Sequence, residues 1–116
     1  MTVARQRLGK NGEDLAVAEL ERLGYAILAR RYRTNHGEID IIARDGDTLV
    51  FVEVKVRSSA DCGSAAEAVT RYKQRRLASM ASDYLSRSDL SDVACRFDVI
   101  AIDHDVLTVI ANAFDA

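Results

Sequence analysis

Three ionisable residues interrupt two otherwise apolar runs of this 116-residue chain. Asp40 lies in Gly37-Glu-Ile-Asp-Ile-Ile-Ala43, and Glu53 and Lys55 lie in Leu49-Val-Phe-Val-Glu-Val-Lys-Val56. Charged groups cost free energy to bury unless they are paired or bind an ion. Two carboxylates converging from neighbouring strands offer hard oxygen ligands to Mg2+ or Mn2+, ions that keep several waters and take further ligands from substrate phosphate. A lysine two residues beyond Glu53 can orient an attacking water and offset charge as a phosphodiester is split. The set therefore suits metal-dependent phosphodiester hydrolysis, with Asp40 and Glu53 as metal ligands and Lys55 as the catalytic cation. The spacing by itself is common, and Glu-x-Lys in a strand is also a way to build an ion-paired edge. The one-sided pattern around the three residues says more.

The two runs read as adjacent strands around an Asp45-Gly46 turn. That turn sets Ala43 against Thr48, Ile41 against Val50 and Ile39 against Val52, on a face completed by Val54 and Val56. The other face holds Glu38, Asp40 and Ile42 from one strand and Leu49, Phe51, Glu53, Lys55 and Arg57 from the next. It is apolar near the turn and charged away from it. In this register Asp40 faces Phe51 and lies diagonal to Glu53, with Cβ atoms roughly 7 Å apart. A slip of one residue would put Asp40 among the valines.

Helices must bring the rest. Residues 9–23 read as a helix: Leu8, Leu15, Ala16, Leu20 and Leu23 recur at helical spacing, with Gly24 to end it. Glu13 falls on that apolar stripe. It either complements the helix dipole or completes the site. Tyr25–Arg33 reads as a strand ending in Arg30, Arg31 and Arg33 around Tyr32, a cluster able to contact phosphates and stack a base, or simply a solvated strand end. His36 is a proton shuttle or a turn residue, and the surrounding Thr34-Asn35-His36-Gly37 favours the turn. Ser64-Ala-Ala-Glu67 has the form of a capping box and opens a helix to about Leu85. Its stripe is Ala66, Val69, Leu77, Met80, Ala81 and Tyr84, with Lys73 inside it and Arg71, Arg75 and Arg76 pointing elsewhere. Strands Cys95–Ile102 and Val106–Ile110 follow, and His104 between two aspartates is turn chemistry rather than a metal site. The order is α-β-β-β-α-β-β, a mixed α/β fold in one domain over residues 1–116.

Composition agrees with an ordinary globular chain: 48% hydrophobic, 29% charged, net charge −2. No apolar run approaches the ~18 residues of a membrane span, and no secretory signal opens the chain, so the membrane is excluded as a partner. Cys62 and Cys95 are far apart and fit no zinc spacing, which reads as reduced thiols in a cytoplasmic protein. Residues 1–76 carry fourteen Lys and Arg against eleven Asp and Glu, while residues 77–116 carry two against seven. A polyanion would be met by one side only.

Gly9-Lys-Asn-Gly-Glu13, Gly37-Glu-Ile-Asp-Ile-Ile-Ala43, Phe51-Val-Glu-Val-Lys-Val-Arg57 and Arg96-Phe-Asp-Val-Ile100 together resemble the YraN family. These are small bacterial endonuclease-like proteins, similar to archaeal Holliday junction resolvases of the restriction-endonuclease-like, or PD-(D/E)xK, superfamily. The resemblance covers nearly the whole chain. It implies a core sheet flanked by helices, Asp40 and Glu53 as metal-binding acids, Lys55 as the catalytic lysine and Glu13 as the helix-borne acid. Lys73 matches a polar helix position less closely, and Ile39 stands where many superfamily members have proline. A homodimer is implied as well, since a junction has two symmetric strands to cut.

Two functions follow as expectations. The first is a Mg2+- or Mn2+-dependent endonuclease acting on branched, flapped or single-stranded DNA, with Lys73, Arg57, Arg31, Arg33 and Arg71 touching nucleic acid. The second is a non-catalytic module of the same fold that binds nucleic acid or a protein.

Overall fold

The computed structural model describes residues 12–57, 70–90, 92–103 and 106–114, apart from the side chain of Arg57. Its elements are α1 (Gly12–Arg22), β1 (Ala26–Thr34), β2 (Gly37–Asp45), β3 (Thr48–Arg57), α2 (Arg71–Arg87), β4 (Cys95–Asp103) and β5 (Val106–Phe114). The element order is the one expected from the sequence. The strands form one mixed sheet in the order β1-β2-β3-β4-β5. Only β3 and β4 run parallel. A parallel pair needs a long crossover, and α2 lies within it. No helix among the described residues is long and apolar enough to cross a membrane.

Strand alternation sends apolar side chains to both faces, and each helix covers one. Ala16 and Leu20 of α1 pack on Ile41, Ala43, Val50, Val52, Ile100 and Ile102. Leu77, Met80 and Ala81 of α2 pack on Ile39, Ile42, Leu49, Phe51 and Phe97. β4 is buried without a break from Phe97 to Ile102, as an interior strand covered on both faces should be.

Three expectations need correction. The β2–β3 register is displaced by two residues: Asp45 pairs with Thr48, Ala43 with Val50, and Ile41 with Val52. The loop is Gly46-Asp47 rather than Asp45-Gly46, because the first loop position has φ +61°, a conformation glycine adopts at little cost. A shift of two does not by itself move a side chain to the other face. Second, Ile39 does not share the face of Ile41. It packs with Ile42 under α2. Arg31, between the Arg30–Ile41 and Tyr32–Ile39 pairs, takes φ +52°, and the pleat is broken there. Third, the helix carrying Lys73 starts at Arg71 rather than Ser64. Thr70 has extended backbone (φ −71°, ψ 167°) and its hydroxyl accepts the Lys73 N–H at 3.2 Å, a local N-cap. The capping-box residues, Ala66, Val69, Cys62 and His104 lie outside the described residues. Cys95 is a free, exposed thiol.

One buried charge network ties the sheet together at the end near the β2–β3 turn. Asp98 is 1% exposed. It accepts Arg96 Nε at 2.9 Å, Arg96 Nη2 at 3.1 Å and the Asn112 N–H at 2.8 Å. Arg96 also donates to Asp45 Oδ2 at 3.2 Å and to the Tyr25 hydroxyl at 2.6 Å. Every strong hydrogen-bonding group in this cluster has a partner, which is the condition for burying a carboxylate. The Arg96-Phe-Asp stretch is therefore accounted for structurally.

Candidate active site where β2 and β3 part

Pairing between β2 and β3 ends at Ile41 and Val52. Beyond it Asp40 Oδ2 accepts the Val54 backbone N–H at 2.8 Å. A side chain thus receives the ladder bond that a β2 carbonyl would otherwise take, and the two strands open into a fork. Burial, then the charge of Glu53 and a proton shared with it, then the charge of Glu13, push the Asp40 carboxyl up to about 7. The Val54 N–H pulls the other way and does not prevail. Asp40 and Glu53, diagonal in the expected register, are thus close neighbours. Lys55 lies two residues along β3, beside Ala101 of β4. It has no ion-pair partner among the described residues.

Glu13 sits at the start of α1, directly after Gly12. A Cβ on Gly12 would lie 2.6 Å from Val56 Cγ2, so glycine lets the helix start press close to the end of β3. The Glu13 carboxylate accepts Arg30 Nε at 3.0 Å and Arg31 Nε at 3.2 Å, and Arg30 also reaches Asp14. Glu13 is near enough to raise Asp40 but is itself held by two guanidinium groups.

On the α2 side the Lys73 ammonium stands 3.6 Å from Glu53 Oε2. Glu38, Glu53, Lys73, Arg76, Leu77 and Met80 line a cavity of about 60 Å³. Arg76 was expected to point elsewhere. It turns into this wall and donates to the His36 carbonyl at 3.0 Å from Nε and 2.7 Å from Nη2. The sequence carries one trace of this: Gly37, at φ +130°, whose absent Cβ would be 2.2 Å from Arg76 Nη2.

The residues proposed to touch nucleic acid are scattered. Arg31 is tied to Glu13, and Arg33 Nε donates to Glu38 Oε2 at 3.1 Å. Tyr32 donates its hydroxyl to Asp83 at 3.1 Å and packs edge-on against Tyr84, so its ring belongs to the α2 interface. Arg71 is exposed at the start of α2. The side chain of Arg57 lies outside the described residues.

Among the described residues no three His, Cys, Asp or Glu side chains close into a ready-made ligand cage. Mg2+ does not need one, since it binds through one or two carboxylates and completes its shell with water and phosphate. The Asp40–Glu53 pair fits that requirement: two hard oxygen donors, one of them pushed up to about 7 by burial and by its acidic neighbour.

Residues 12–102 match the family described as Uncharacterised protein family UPF0102. A UPF0102 protein of Geobacter sulfurreducens is 51% identical over 113 residues, covering 93% of this chain and 88% of the relative. One of Herminiimonas arsenicoxydans is 46% identical over 113 residues, 97% of this chain and 90% of the relative. One of Caldicellulosiruptor saccharolyticus is 41% identical over 116 residues, 95% of this chain and 98% of the relative.

Proposed function

The chain belongs to the uncharacterised family UPF0102, and we propose that it is a Mg2+- or Mn2+-dependent endonuclease acting on DNA. The observation that carries this reading is the Asp40–Glu53 pair at the fork, where a half-buried carboxyl is pushed up to about 7 beside a second acid and Lys55 follows on β3.

Asp40 and Glu53 would hold the cation. When bound, it would supply Lewis-acid stabilisation of the charge that develops on the phosphoryl oxygens. The Val54 N–H fixes the orientation of Asp40. Lys55 would orient the attacking water and offset negative charge as the water oxygen bonds to phosphorus and one P–O ester bond breaks. The products carry a phosphate on one end and a hydroxyl on the other. Glu13, gripped by Arg30 and Arg31, would act on Asp40 through its field and keep the basic strand end in place.

In line with the resemblance drawn from the sequence, the reaction proposed is structure-selective cutting of branched, flapped or single-stranded DNA in the cytoplasm by a homodimer. A second reading, a binding module without turnover, draws on Arg30, Arg31 and Arg33 all being paired with carboxylates, which reduces the free positive surface. Purified protein incubated with four-way junctions, flaps, single strands and duplex in Mg2+, Mn2+ or chelator separates the two. Metal-dependent cutting of at least one substrate supports the enzyme. Binding with no cutting under either metal supports the module.

A further inference from the structure

Glu53 is engaged from two sides. Asp40 neighbours it within the sheet, while Lys73 reaches its Oε2 at 3.6 Å from α2. That separation gives an ion pair without hydrogen-bond geometry. Both residues stand on regular elements, Glu53 in β3 and Lys73 in the first turn of α2, where the Thr70 hydroxyl caps its N–H. The Lys73 side chain lines the small cavity with Leu77 and Met80 and is 37% exposed, against 17% for Glu53. Its ammonium can therefore turn to solvent without opening the core. Arg76, the other cation of this wall, is committed to the His36 carbonyl by two hydrogen bonds. Lys73 is the cation free to exchange.

An ammonium and a divalent cation repel each other when both lie against one carboxylate. We infer that Lys73 is the resident counter-ion of Glu53, released when a divalent cation binds there, and that the released ammonium takes a phosphate of the nucleic-acid substrate. The inference rests on the metal-site reading above. It adds an order: cation first, phosphate second, with α2 supplying the group that changes partners. By linkage, the factor by which a bound cation raises nucleic-acid affinity is the factor by which nucleic acid raises cation affinity.

The test uses Lys55→Ala protein, so that DNA stays uncut, with Lys73 kept or changed to Gln or Arg. Calorimetry measures Mn2+ affinity, and fluorescence anisotropy measures binding of a four-way DNA junction in saturating Mn2+. Lys73→Gln is expected to bind Mn2+ about fivefold more tightly and the junction about fivefold more weakly, the scale of one partly exposed ion pair. Lys73→Arg keeps the charge and is expected to restore both values. Mn2+ affinity that is unchanged or weaker in Lys73→Gln overturns the counter-ion role, and unchanged junction binding overturns the phosphate role. A Lys73-containing protein that takes up no Mn2+ at all defeats the metal-site reading, and this inference with it.

Discussion

Asp40 Oδ2 accepts the backbone N–H of Val54 at 2.8 Å, so the acid offered to a cation is also the clasp that holds the β2–β3 fork. The two duties can be separated by substitution.

Asp40→Asn keeps a carbonyl oxygen for the Val54 N–H and removes the repulsion with Glu53. Asp40→Ala removes both. In urea denaturation at pH 8 without metal, Asn should match or exceed the parent. Ala should lose about 1–2 kcal/mol relative to Asn, the cost of a buried N–H left without its partner. An Ala variant as stable as Asn would show that the clasp is unimportant.

Asp40 also predicts a pH dependence. Its carboxyl stands near 3.8 when unperturbed and is pushed up to about 7 in the fold, by burial first and then by Glu53. Because the folded value lies above the unfolded one, the contribution is full below about 3.8 and is lost as pH rises through about 7. The metal-free parent should therefore lose stability relative to Asp40→Asn across that window. Mn2+ should reverse the loss at pH 8, and its affinity should fall by up to about tenfold per pH unit below the Asp40 midpoint, because the cation must displace the proton. Parent and Asp40→Asn melting curves of equal pH slope would contradict this.

The Arg96–Asp98 network should matter to the fold and not directly to chemistry. Arg96→Met leaves Asp98 buried with the Asn112 N–H as its remaining strong donor. The expected loss is about 3–5 kcal/mol by chemical denaturation. Arg96→Met with Asp98→Leu should recover part of it, because no uncompensated charge remains. A loss under about 1 kcal/mol for Arg96→Met alone would mean that water reaches Asp98 more easily than its burial implies.

Gly37→Ala meets two obstacles, φ +130° and a Cβ 2.2 Å from Arg76 Nη2. It should cost about 1–3 kcal/mol. Adding Arg76→Ala should relieve the clash and leave the backbone term. Full recovery in the double variant would assign the whole cost to Arg76.

The element order was legible because each strand and helix carries its own period. The nearness of Asp40 and Glu53 was legible from the two-residue period of a strand, and a register error of two residues did not separate them. Asp45-Gly46-Asp47 permits either turn reading, and the choice falls to the backbone angle at Gly46. The displacement of Ile39 was not legible, since it follows from a left-handed Arg31 in the neighbouring strand. Nor was Arg76, whose target is the main-chain carbonyl of His36, a group every residue shares. Thr70 was the most readable of the missed features: a threonine three residues before Lys73 is an ordinary N-cap signal, masked by the Ser64–Glu67 pattern upstream.

The central claim is that Asp40 and Glu53 share a cation under which Lys55 supports phosphodiester cleavage. It is tested most directly by single-turnover cutting of a DNA four-way junction in Mn2+ by the parent, Asp40→Asn and Lys55→Ala, each shown to be folded by its melting transition. The account predicts a parent rate at least about a hundredfold above both variants, the scale of losing an electrostatic catalytic group. Equal rates in all three proteins would contradict it.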